Sequence, residues 1–108
     1  MKKNDEDREL QELTSLIKNN YFSDDTLVYK KMIYETMSKF PHSPKPHNLI
    51  GLLLEKEGNH ILAMKHFRAA YSLDPTYLPA ERNLNKFGAI SSFAKCAFDE
   101  LDCWLIKQ

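Results

Sequence analysis

Pro41 and Pro75 stand 34 residues apart, and each falls after one helical stretch and before the next. A period of this length fits two short helices and their turns, so it constrains the fold more than any other feature of the chain. Other positions keep the same step. Ala63 and Phe67 recur as Ala97 and Leu101, and Ile33 lies in register with Phe67 and Leu101. One such helix pair cannot bury both of its faces alone, so neighbouring pairs are expected to stack into a right-handed array.

The local signals agree. Leu10, Leu13, Leu16 and Ile17 share one helical face, and Leu27, Met32, Ile33, Met37 and Phe40 follow helical spacing on a second stretch. No Asn-Gly pair between alternating segments marks a β-hairpin. The expected fold class is all-α: a right-handed array of about three helix pairs. Helices are predicted over about 6–20, 25–39, 44–57, 60–73, 79–87 and 92–107. Ser23 or Asp24 would cap the second and Ser43 the third, with Pro44 and Pro46 in its first turn, where a missing N–H costs nothing. Gly58-Asn59 supplies left-handed backbone before the fourth, and Ser91 or Ser92 would cap the sixth. The expected domain division is a charged tail over 1–8 and a helical domain over 9–108, in units of about 10–43, 44–77 and 78–108.

At 108 residues the chain has room for one modest core. Fifteen Lys and Arg balance fifteen Asp and Glu, so no net field draws it to nucleic acid or an anionic membrane. No apolar run approaches the roughly 20 residues needed to cross a bilayer. The charged start from Lys2 to Glu9 is unlike a secretory signal, and with only two cysteines the expected location is the cytoplasm.

Within residues 44–77 the pattern reads His47-x-x-Ile50-Gly51-x-x-Leu54, then Gly58, Ala63-x-x-x-Phe67-x-x-Ala70 and Pro75. This resembles a tetratricopeptide repeat, with His47 and Leu54 standing where that family has aromatic residues. The crossing of small residues makes sense without the name. Gly51 and Ala63 would let the third and fourth helices approach, Phe67 would fill the space beneath, and Ala70 would admit the next unit. The flanking units follow the period more than the identities: Tyr29 and Thr36 stand where small residues belong, and Gly88 where a large one does. The resemblance implies a non-catalytic module that binds a protein partner. The alternative fold is a helical bundle with a coincidental period.

No catalytic constellation is visible, and no cofactor or metal is expected. His60 and His66 are six apart and fall on different faces, His42 lies in a proline turn, and His47 fills a packing position. Cys96 and Cys103, seven apart on the predicted sixth helix, would sit about 10.5 Å apart along its axis, too far for a disulfide. Both are read as buried thiols without a neighbouring base. Asp99 and Asp102 are read as a solvated acidic face, and the three glycines are too scattered for a phosphate loop.

In the repeat register the first helix of each pair lines a concave wall. That wall would carry Thr14, Lys18, Lys45, Asn48, Leu52, Arg82, Asn83 and Lys86. It would be locally basic, with two amides ready to hydrogen-bond an extended backbone, and would suit an acidic peptide or a helix of a partner protein. The family's clamp for the C-terminal carboxylate of heat-shock chaperones is kept poorly, with Thr14, Leu49, Pro79 and Asn83 at its positions. A second expectation concerns the sixth helix. Phe93, Ala97, Leu101, Trp104 and Leu105 form its packing stripe, and Phe98, Trp104 and Ile106 widen the apolar arc beyond one neighbour. The alternative function is therefore assembly: a homo-dimer or partner contact through Phe98, Trp104 and Ile106.

Overall fold

The computed structural model describes residues 2–88 and 96–106, with side chains for 5–88 and 96–103. They form α1 (Lys2–Asn19), α2 (Thr26–Lys39), α3 (Lys45–Lys56), α4 (His60–Leu73), α5 (Leu78–Gly88) and α6 (Glu100–Ile106). No strand occurs among the described residues. The first five helices lie within a few residues of their predicted bounds. α1 starts earlier than expected, at Lys2, and so takes in the charged residues read as a tail, with Arg8 pairing Asp5 one turn back.

Local chemistry sets the helix ends. Gly58 has φ +88°, the left-handed conformation that lets the chain reverse, and Asn59 follows as the N-cap of α4 with its side chain accepting from the Leu62 N–H. At α3, Ser43 Oγ accepts from the Lys45 N–H, while Pro46 occupies the first turn. Ser23 does the same for the Asp25 N–H before α2, whose N-cap Asp25 makes no side-chain cap bond. Asp74 Oδ1 accepts from both the N–H and the hydroxyl of Thr76, fixing the turn into α5.

Helix α3 is the centre of the molecule. It packs on α1, α2, α4 and α5, and residues 48–54 are all buried. Against it lie Leu13 and Ile17 of α1, Ile33 of α2, and Ala63 and Phe67 of α4. The α3–α4 pair runs antiparallel across the Gly58 turn: Glu55 meets His60, Gly51 meets Phe67, and His47 meets His66. Gly51 is required there. A Cβ built on it would stand 2.6 Å from Phe67 Cε1, and the Phe67 ring, fully buried, is stacked against Phe87 at 5.7 Å. α3 also touches both α1 and α5, and α4 packs on α5.

The end of the chain departs from expectation. The sixth helix begins at Glu100, and residues 96–99 are not helical. Its early start fails because Ala97 directs both its N–H and its C=O to one side, onto Asn83, which helical backbone cannot do. A capping arrangement starts the helix instead: Asp99 Oδ1 accepts from the Asp102 N–H, and Asp102 Oδ2 accepts from the Phe98 N–H. Residues 92–95 of the predicted helix, including Phe93, lie outside the described residues, as do the side chains of Trp104, Leu105 and Ile106. α6 packs on α5, and its Asp102 reaches Lys18 of α1.

Candidate interaction groove

Side chains of α1, α3 and α5 meet residues 97–102 of the same chain, through Lys18, Asn48 and Asn83. Asn48 and Asn83, both fully buried, face each other from α3 and α5, with Asn83 Nδ2 donating to Asn48 Oδ1 at 2.8 Å. Together they hold one peptide residue. Asn83 Oδ1 accepts from the Ala97 N–H at 2.7 Å, Asn83 Nδ2 donates to the Ala97 carbonyl at 2.7 Å, and Asn48 Nδ2 donates to that carbonyl at 2.9 Å. A carboxamide paired with both polar groups of one residue imitates a neighbouring strand, and it leaves no buried side-chain polar atom unsatisfied among the described residues. Such amides read backbone and are indifferent to the side chain.

Side-chain contacts fix the rest of the segment. Phe98 is buried edge-on against Tyr21, with ring centroids 5.1 Å apart, and the Tyr21 hydroxyl donates to the Leu52 carbonyl at 3.0 Å. Burial, with the nearby Cys96 and Glu55, pushes the Tyr21 phenol up to about 12 and keeps it a donor. Lys18 Nζ reaches Asp102 Oδ1 at 2.6 Å and lies 3.9 Å from Asp99. Burial works against the Lys18 charge, but the hydrogen bond to Asp102 and the two carboxylate charges outweigh it and hold the ammonium above its usual pKa.

The expected wall residues divide accordingly. Asn48, Asn83 and Lys18 are brought together on one short segment. Leu52 is wholly buried in the core cluster that also holds Phe98, so it offers no surface to an outside ligand. Thr14 is buried with its hydroxyl donating to the Leu10 carbonyl, a bond within its own helix. Lys45, Arg82 and Lys86 are half-buried along the rim, and none of the ion pairs among the described residues involves them. The charges of Lys86 and Arg82 pull the thiol pKa values of Cys96 and Cys103 down, respectively, against the larger effect of burial.

Two expectations for the sixth helix are corrected. Phe98 is a core residue, because the turn before α6 directs it onto Tyr21, and it offers no surface for assembly. Asp102 is no solvated carboxylate: its side chain is 13% exposed and held by Lys18 and the Phe98 N–H. Tyr21, Ala97, Asp99 and Asp102 are thus site residues that the sequence reading missed. One signal was there: Asp99-x-x-Asp102 has the spacing of a capping box and marks a helix start at residue 100.

Both cysteines are free, and burial raises the thiol pKa of each against the opposing pull of Lys86 on Cys96 and Arg82 on Cys103. That favours the unreactive thiol form. His47 and His66 bring their Nδ1 atoms to 3.0 Å across the α3–α4 contact, and among the described residues no third ligand completes a metal site there or elsewhere. No helix among the described residues is long and apolar enough to cross a membrane. Comparison with protein-family models, with curated proteins and with solved structures gave no match.

Proposed function

We propose that the chain is a non-catalytic protein-interaction module of the tetratricopeptide type, working in the cytoplasm, whose α1–α3–α5 wall binds an extended segment of a partner protein. The observation that carries this reading is the pair of buried amides, Asn48 and Asn83, closed on the backbone of a single non-helical residue. Recognition of main chain by side-chain amides, with side-chain pockets beside it, is how peptide grooves combine affinity with selectivity. The rim cations Lys45, Arg82 and Lys86 favour an acidic partner. The repeat reading draws support from the antiparallel α3–α4 pair, its Gly51–Phe67 crossing and the contacts of α3 with both α1 and α5.

The test is a capture experiment with the full chain and with Arg82→Glu/Lys86→Glu, after circular dichroism has shown equal helicity. Loss of the captured protein from the double variant is the expected result. Equal capture by both chains would remove the groove from the proposal.

A further inference from the structure

We infer that residues 97–102 are a resident ligand of this groove, and that the partner it takes is a segment of the same chemistry. Such a segment has a residue with free backbone groups, an aromatic next to it, and a carboxylate four positions after the aromatic. The inference rests on the interaction reading above and names its ligand class.

The groove treats the segment as a binding site treats a peptide. Backbone at Ala97 is read by two amides, the ring of Phe98 enters the pocket under Tyr21, and the carboxylate of Asp102 meets the Lys18 ammonium. The amides satisfy the Ala97 backbone while the segment is in place, and apolar residues there would leave its N–H and C=O unpaired. Two asparagines make sense where the segment leaves, because an emptied amide-lined groove can be hydrated and an apolar one would expose a sticky patch.

The hold is also limited in extent. α6 has seven residues; it packs on α5 and, among the described side chains, meets α1 through the Lys18–Asp102 pair. Asp99 and Asp102 share Lys18, while Arg82 and Lys86, on the same helix as Asn83, take part in no ion pair among the described residues. An incoming segment with more carboxylates would engage cations that the resident one leaves unused. The same cations disfavour a basic partner. Self-occupancy lowers the apparent affinity for any outside ligand by the fraction of time the groove is open.

The experiment uses the full chain, labelled for NMR, and a synthetic peptide spanning residues 96–106 with Cys96→Ser and Cys103→Ser. Peptide binding and the exchange of the Ala97 and Phe98 amides are followed together. The expected result is weak binding to the wild type, accompanied by loss of protection at those two amides. Binding should be at least tenfold tighter to Phe98→Ala/Asp102→Asn, which loosens the resident segment and leaves the wall intact. The single variant Asp102→Asn serves should the double variant misfold, with a smaller gain in the same direction. A peptide carrying Asp102→Lys should bind at least tenfold more weakly.

Three results would overturn the inference: equal affinity for the wild type and the loosened chain, binding that leaves Ala97 protected, or no binding to the loosened chain. A chain that ignores the peptide yet captures a protein through Arg82 and Lys86 would sink this inference alone. One that takes the peptide but shows no charge-dependent capture would sink only the broader reading.

Discussion

Replacing Asn83 by Ala is the most exacting test of the amide pair. The substitution strips the Ala97 N–H of its acceptor and Asn48 Oδ1 of its donor, while the Ala97 carbonyl keeps Asn48 Nδ2. Each orphaned buried group costs about 1–3 kcal/mol, so the pair costs about 2–6 kcal/mol if the segment stays in place. That is a large part of the roughly 5–15 kcal/mol that holds a domain of this kind together. The segment has a second option, which is to leave the groove and let water satisfy all three groups. Amide exchange distinguishes the two outcomes. Detachment would speed exchange at Ala97 and Phe98 by about 30-fold or more, which corresponds to the lower limit of about 2 kcal/mol, and would leave the amides of α3 and α4 nearly unchanged. Global destabilisation would lower Tm instead, by about 4–8 °C for each kcal/mol. Asn83→Asp should be at least as damaging, since it retains the acceptor for the Ala97 N–H but sets an anionic oxygen against the Ala97 carbonyl and Asn48 Oδ1. A change below about 0.5 kcal/mol in Asn83→Ala, with Ala97 exchange unaltered, would refute the reasoning.

Other consequences follow from the same contacts. Gly51→Ala drives a methyl into the immobile Phe67 ring and should cost about 1–3 kcal/mol in chemical denaturation, with recovery in Gly51→Ala/Phe67→Leu. Burial lowers the pKa of both His47 and His66, the His47 charge adding to the effect at His66, so the unfolded chain takes up protons that the folded chain refuses. Stability should therefore be complete above about pH 6.5 and fall as pH drops below it; denaturation midpoints from about pH 7.5 to 5.5 should show a shallower decline in His66→Gln, and an identical slope would contradict the assignment. Cys103 is 1% exposed with a raised pKa, so a neutral thiol reagent should modify it slowly in the wild type and much faster in Asn83→Ala. Fast labelling of Cys103 in the wild type would show that the segment does not rest in the groove.

Much of the helical organisation was readable from residue type and spacing. Pro44 and Pro46 can enter only the first turn of a helix, Gly58 can reverse the chain where a Cβ would resist, and Gly51 set against Phe67 signals a close crossing. These are local rules, settled by a residue and its near neighbours in the chain. The candidate wall was drawn for a related reason, since a period of 34 residues sets Thr14, Asn48 and Arg82 in equivalent places along α1, α3 and α5, and Lys18, Leu52 and Lys86 one turn further on.

What covers that wall was decided only in three dimensions. Lys18 meets Asp102 across 84 residues of chain, and Asn48 meets Ala97 across 49. Apolar spacing at Phe98 and Leu101 is compatible with a continued helix, and helix propensity alone would favour one. The outcome turns on the buried carboxamides of Asn48 and Asn83, which must be satisfied once α3 is surrounded on every side. The backbone of Ala97, freed from a helix, satisfies them, whereas a helical turn there would have its N–H and C=O already committed along its own axis.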